Sequence, residues 1–294
     1  MSLSRPALVS SALILSLAVL PACTAKTGTA DEENLGTSEE LLTADDSEAA
    51  APDDSSEAEE EATSGGADLS EAAAGIDPSV SESDQIAKVK LNAGRFFQPA
   101  GCIASTVAGN VVTHVFTGCT GPGGRTYDGT VVATWSRADG VISVQRVARG
   151  FRIDGATDDR RVNVSYSRED GVFKRVRTVD MSGTTGKGKA LSRQASWTMT
   201  WDPSTKCVTR DGSSVTRIGG REHSTSVVGY KRCGVGYFGC PDAGKITLNR
   251  KAGKGSDKDI TIVIEFVGGQ RMSVEVPGGK KIERTMACRD VNVK

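Results

Sequence analysis

Beyond about residue 100 the chain alternates apolar and polar positions with the two-residue period of a half-buried strand. Trp197, Met199 and Trp201 face Ser196, Thr198 and Thr200, and Ile260, Ile262, Ile264 and Phe266 stand against Thr261 and Glu265. Val162, Val164 and Tyr166 alternate with Arg161, Asn163 and Ser165, and Met272, Val274 and Val276 with Arg271, Ser273 and Glu275. Asp139-Gly140, Asp170-Gly171, Asp211-Gly212 and Gly268-Gly269 lie between such runs and predict hairpin turns. The pattern predicts a mainly β fold: about ten to twelve strands in an antiparallel meander, forming a curved sheet, sandwich or barrel.

One segment follows a helical period instead. Ile86, Val89, Ala93 and Phe96 fall near one side of a helix, with Ser83 or Asp84 available to cap it and Pro99-Ala100-Gly101 to stop it. This single N-terminal amphipathic helix is expected to pack on the sheet or plug it.

Charge divides the chain near Lys88. From Thr24 to Ala87 there are 19 acidic residues against one lysine, a net charge of −18, with no aromatic residue. From Lys88 to the end there are 34 basic and 18 acidic residues, a net charge of +16. The acidic stretch cannot bury enough apolar surface to offset its chain entropy, so it reads as a disordered tether. The basic remainder suits an anionic partner such as membrane head groups or acidic polysaccharide, with which the tether would compete; solubility alone is the plainer reading. No specific nucleic-acid binding is expected.

Ahead of the tether, Arg5 precedes an apolar run from Ala7 to Leu20, too short to span a bilayer and typical of a cleaved export signal. The run ends in Leu20-Pro21-Ala22-Cys23, which resembles the lipobox of bacterial lipoproteins. The resemblance implies cleavage before Cys23 and a diacylglycerol on its sulfur, often with an acyl group on its amine, so that the membrane is the first partner. Thr24 rather than aspartate after the cysteine favours the outer membrane. The expected organisation is a signal peptide at 1–22, a lipid-anchored acidic linker at 23–83 and a disulfide-linked β domain at 84–294.

Six further cysteines, Cys102, Cys119, Cys207, Cys233, Cys240 and Cys288, form the even set expected of disulfides in an exported chain. Sequential pairing, Cys102 with Cys119, Cys207 with Cys233 and Cys240 with Cys288, closes local loops around hairpins. The spacings do not suit a thiolate metal site, and no cofactor is expected.

Candidate chemistry is sparse. His114 reads as a polar position on a sheet face and His223 as a loop residue. No nucleophile elbow, zinc-protease motif, P-loop or dinucleotide fingerprint occurs. The glycine clusters at 121–124 and 183–189 lack a following helix and read as turns. Asp158-Asp159 and Glu169-Asp170 read as turn carboxylates, and Trp135, Trp197 and Trp201 as core rather than a sugar platform.

The stretch Phe97-Gln-Pro-Ala-Gly-Cys102, followed by Phe116-Thr-Gly-Cys119-Thr-Gly-Pro-Gly-Gly124, resembles uncharacterised exported lipoproteins of myxobacterial type. The likeness runs from Phe97 to Ala133 and more weakly from Trp197 to Cys207. It implies a disulfide-linked β domain and brings no activity with it. The expected function is therefore a non-enzymatic binding or structural envelope lipoprotein, with a lipid or lipoprotein carrier and a periplasmic hydrolase as alternatives.

Overall fold

A computed structural model describes residues 76–121, 124–234, 240–251, 259–276 and 278–286. Helix α1 (Glu82–Asn92) leads into β1 (Ile103–Ala108), β2 (Val111–Thr120), β3 (Thr126–Ala138), β4 (Val141–Ile153), β5 (Ala156–Glu169), β6 (Val172–Thr184) and β7 (Ala190–Asp202). Then follow β8 (Cys207–Ile218), β9 (Arg221–Cys233), β10 (Ala243–Arg250), β11 (Ile260–Gly268), β12 (Arg271–Val276) and β13 (Lys280–Thr285). All thirteen strands form one antiparallel sheet in strict sequence order. Among the described residues β1 and β13 do not pair, so the meander does not close into a barrel there. The last strand, K-K-I-E-R-T, has one apolar residue and little alternation of its own; pairing to β12 recruits it.

Ser81, rather than Ser83 or Asp84, caps α1: the Asp84 amide donates to Ser81 Oγ. Ile86, Val89 and Ala93 are buried as their spacing predicts. Phe96 is instead 42 % exposed, because the helix has already ended; the next residue, Phe97, turns inward at 1 %. It enters an edge-on cluster with Phe116 and Tyr127 at ring centroids of 5.5 and 5.4 Å, and Phe116 meets Phe151 at 5.3 Å. Beside it, α1 lays Ile86 and Val89 over Val112, Ala133, Trp135, Ile142 and Val144. A third cluster continues along the same face through Val162, Val179, Trp197, Val227 and Tyr230.

Aspartate-glycine pairs do two different jobs. Asp139-Gly140, Asp154-Gly155 and Asp170-Gly171 have positive φ at both residues and close hairpins. Asp211-Gly212, expected at a turn, lies inside β8, where pairing with β9 shifts register. There the Gly229 amide, at φ 60°, donates to Asp211 Oδ1 at 2.6 Å across the bulge. Asp128 receives the Gly118 amide at 3.2 Å in the same way across β3 and β2. The β7–β8 turn is made instead by Asp202, whose carboxylate accepts from the Ser204 and Thr205 hydroxyls and from their amides, and these bonds hold its pKa down at about 2. Gly268-Gly269 does belong to a turn, with Gly269 and Gln270 at positive φ.

Cys102–Cys119 ties the entry of β1 to the end of β2, and Cys207–Cys233 joins directly opposed residues of β8 and β9. Cys240 is also disulfide-bonded, to a partner outside the described residues. Cys288 and Cys23, with the signal, the anchor and nearly all of the linker, lie outside them too.

At Gly212, φ is 151° and a Cβ would sit 2.2 Å from the Ser196 carbonyl oxygen and 2.6 Å from the Trp197 ring. Gly212→Ala is expected to cost more than about 2 kcal/mol in urea unfolding, against about 1 kcal/mol for Gly220→Ala in open space. Replacing Cys207 and Cys233 together by alanine opens a loop of 26 residues and should cost about 3 to 4 kcal/mol in the same assay.

Candidate functional site

Strand pairing places registered residues on the same side of the sheet, so the face that carries the core can be followed from strand to strand. Arginines occupy it on six consecutive strands: Arg146 on β4, Arg160 on β5, Arg175 and Arg177 on β6, Arg193 on β7, Arg210 on β8 and Arg232 on β9. Each alternates with apolar residues of its own strand, as in Arg160-x-Val162-x-Val164 or Arg193-x-Ala195-x-Trp197. Among the described residues, Asp158 is the only carboxylate that the register of β4 to β9 places on this face. It is 5 % exposed and already ion-paired with Arg160.

Burial pushes the Arg146 guanidinium down to about 9; Arg175 and Arg177 push the same way, while Tyr166 opposes them through its charge and a hydrogen bond. Burial likewise lowers Arg160 to about 9, with Arg177 and Arg193 adding repulsion. The Nε groups of Arg160 and Arg175 are buried without a hydrogen-bond partner.

Aromatic rings stand against several arginines. Arg210 lies over the Trp197 ring at 4.3 Å, Arg168 over Phe173 at 4.6 Å, Arg232 over Tyr230 at 5.9 Å and Arg175 over Tyr166 at 6.0 Å. The negative face of a ring attracts the cation, while the N–H groups of a stacked guanidinium point along its edge. Those edges present planar pairs of donors, the geometry that matches a phosphate, sulfate or carboxylate.

Burial on the face is deepest under the helix. Trp135 and Val144 beneath α1 are at 0 and 1 %, Trp197 and Tyr230 at 7 and 8 %, and Ile246, Ile264 and Phe266 on β10 and β11 are half-buried. The arginine band thus lies between a closed apolar end under the helix and a partly buried apolar end at β10 to β12.

The other candidate residues do not gather. His114 is on β2 and His223 on β9, paired with Thr216 rather than in a loop. His114 is buried on the packed face, its Nδ1 2.8 Å from Ser105 Oγ, and burial alone depresses its pKa to about 4. This is a neutral, packed imidazole. Asp158 and Asp159 belong to β5, not to a turn, and Asp159 accepts from the Gly150 amide at a bulge. Trp135 and Trp197 are core, as their alternation predicts. Gly121 and Gly124 make a loop turn, and Thr185 to Gly188 a hairpin turn. Among the described residues no group of three His, Cys, Asp or Glu could hold a metal ion.

The arginine face escapes a reading based on total charge, which places cations on the solvent side. The signal for it is parity: Arg146, Arg160, Arg175, Arg177 and Arg193 share the phase of the valines and tryptophans of β4 to β7. Comparison with protein-family models, curated proteins and solved structures finds no match for this chain.

The depressed pKa of His114 means that the unfolded chain takes up a proton between pH 6.5 and 4 that the native state refuses, so stability is lost as pH falls through that window. The loss should be about 3 kcal/mol, and His114→Gln should flatten it in urea titrations at successive pH values. Charged Arg146 costs stability for the same reason of burial. Arg146→Met is expected to raise stability by about 1 kcal/mol.

Proposed function

We propose that the protein is a cell-envelope lipoprotein, anchored through lipid on Cys23, whose β domain is a non-enzymatic binding module for an anionic envelope ligand. The observation that carries the binding reading is the arginine and aromatic face of β4 to β9, where guanidiniums of six consecutive strands stand among aromatic rings. A protein retains buried like charges at a cost of stability. An oxyanion placed among them would remove that cost and be held by edge-on, paired N–H donors.

The anchor follows from Leu20-Pro21-Ala22-Cys23, and the acidic stretch behind it would hold the domain away from the bilayer. Cys23→Ser should move the protein from the membrane pellet to the soluble fraction; retention in the pellet would remove the anchor. For the domain, calorimetry with dihexanoyl phosphatidylglycerol and with a sulfated polysaccharide should show binding that weakens with salt. Dihexanoyl phosphatidylcholine should not bind. The pair Arg175→Gln and Arg177→Gln should weaken the anionic ligands by about 10- to 100-fold, since each substitution deletes a charge-assisted hydrogen-bonding group. Equal affinity for anionic and zwitterionic probes would defeat the binding reading.

A further inference from the structure

The face opposite the arginines has a pattern of its own. At one register position it carries Gln145 on β4, Asn163 on β5, Thr178 on β6, Ser196 on β7, Ser213 on β8 and Ser226 on β9, each paired with the next. All six are uncharged, and each can both donate and accept a hydrogen bond. The Gln145 amide donates to Asn163 at 3.0 Å, and Asn163 donates to Thr178 at 3.4 Å. Charged residues of the same face, Arg161, Lys174 and Asp180, stand outside this row.

At β6 to β8 the row passes into a shallow depression of about 330 Å³, lined on this face by Asp180, Gln194, Ser196, Ser213 and Val215. The short serine side chains leave the hollow between longer neighbours. Among the described residues Asp180, Gln194, Ser196 and Ser213 make no side-chain hydrogen bond or ion pair, so their donors and acceptors are open to a ligand. Arg161 is registered opposite Asp180 and offsets its charge.

We infer that this row is a track for a neutral, extended polysaccharide, separate from the anion-binding face on the other side of the sheet. Sugar hydroxyls donate and accept as the row does, and the Asp180 carboxylate can accept from two neighbouring hydroxyls of one ring. Strands lie about 4.8 Å apart, close to the length of one pyranose in an extended β-1,4-linked chain, so successive sugars meet successive strands. The depression takes one ring and the row continues the contact on either side. A polyanion would find no counter-charge along the row, and an apolar ligand would strip water from hydroxyls it cannot replace.

The test is calorimetry on the full-length protein, disulfides intact, with cellobiose, cellohexaose and maltohexaose. Cellohexaose should bind at least about tenfold more tightly than cellobiose, because it adds hydrogen bonds on further strands. It should also exceed maltohexaose, whose α-linked chain coils away from a straight row. Added salt should leave its affinity unchanged, unlike that of the sulfated polysaccharide. Ser196→Ala with Ser213→Ala should weaken cellohexaose by about tenfold, with thermal unfolding and sulfated-polysaccharide affinity unaltered. Gln194→Ala, at the margin of the depression, should weaken it several-fold and stands in should the serine pair not fold.

Failure of cellohexaose to bind at millimolar concentration would overturn the track and leave the anion-binding reading untouched. Affinity that ignores chain length, or that survives intact in these variants, would overturn it too. So would binding that collapses with salt or is lost in Arg175→Gln/Arg177→Gln, which would put the sugar on the arginine face.

Discussion

Side chains of a strand alternate between two faces, and a single sheet of thirteen strands has to keep that alternation in phase through every connection. One slipped residue would turn a strand's valines to solvent and its lysines inward. In this chain the phase is held by tight turns that admit no slack and by bulges that absorb an extra residue at fixed places. Gly118, Gly150 and Gly229 each take a left-handed conformation at such a bulge and donate the freed amide to an aspartate of the neighbouring strand. The aspartate satisfies a donor that the interrupted ladder leaves behind. The core, the helix seat and the arginine face all follow from the parity so preserved.

Within that frame the arginines are the most costly residues of the packed face. Guanidiniums are well suited to the position: planar and weakly hydrated, they stack on Trp197, Tyr166, Phe173 and Tyr230 where lysine ammoniums would need water. Burial still costs the guanidiniums: it lowers the pKa of Arg146 and of Arg160 to about 9, with neighbouring guanidiniums pushing the same way.

The strands of the folded part were legible because Trp197-x-Met199-x-Trp201 and Ile260-x-Ile262-x-Ile264 state their period without ambiguity, and two of the disulfides because they bracket hairpins. Asp211-Gly212 was misleading for a physical reason: the same dipeptide suits a turn, where glycine supplies positive φ, and a bulge, where the aspartate caps a neighbour's amide. Only the pairing partner distinguishes Asp170-Gly171 from Asp211-Gly212. Phe96 was misplaced because helical spacing was extended past the end of the helix. The arginine face was illegible to a count of charges, since a sum has no direction. Openness was beyond reach altogether, because closure of a meander depends on accumulated twist and coiling, which no local pattern encodes.

Because every strand pairs only with its neighbours in the chain, no contact in the sheet waits for a distant segment. A ribbon of this kind can be laid down hairpin by hairpin as the polypeptide emerges, each new strand finding its template already in place. The paired cysteines obey the same order: Cys119 follows Cys102, and Cys233 follows Cys207, with no other described cysteine between them. Oxidation in order of appearance would therefore produce the native links without reshuffling.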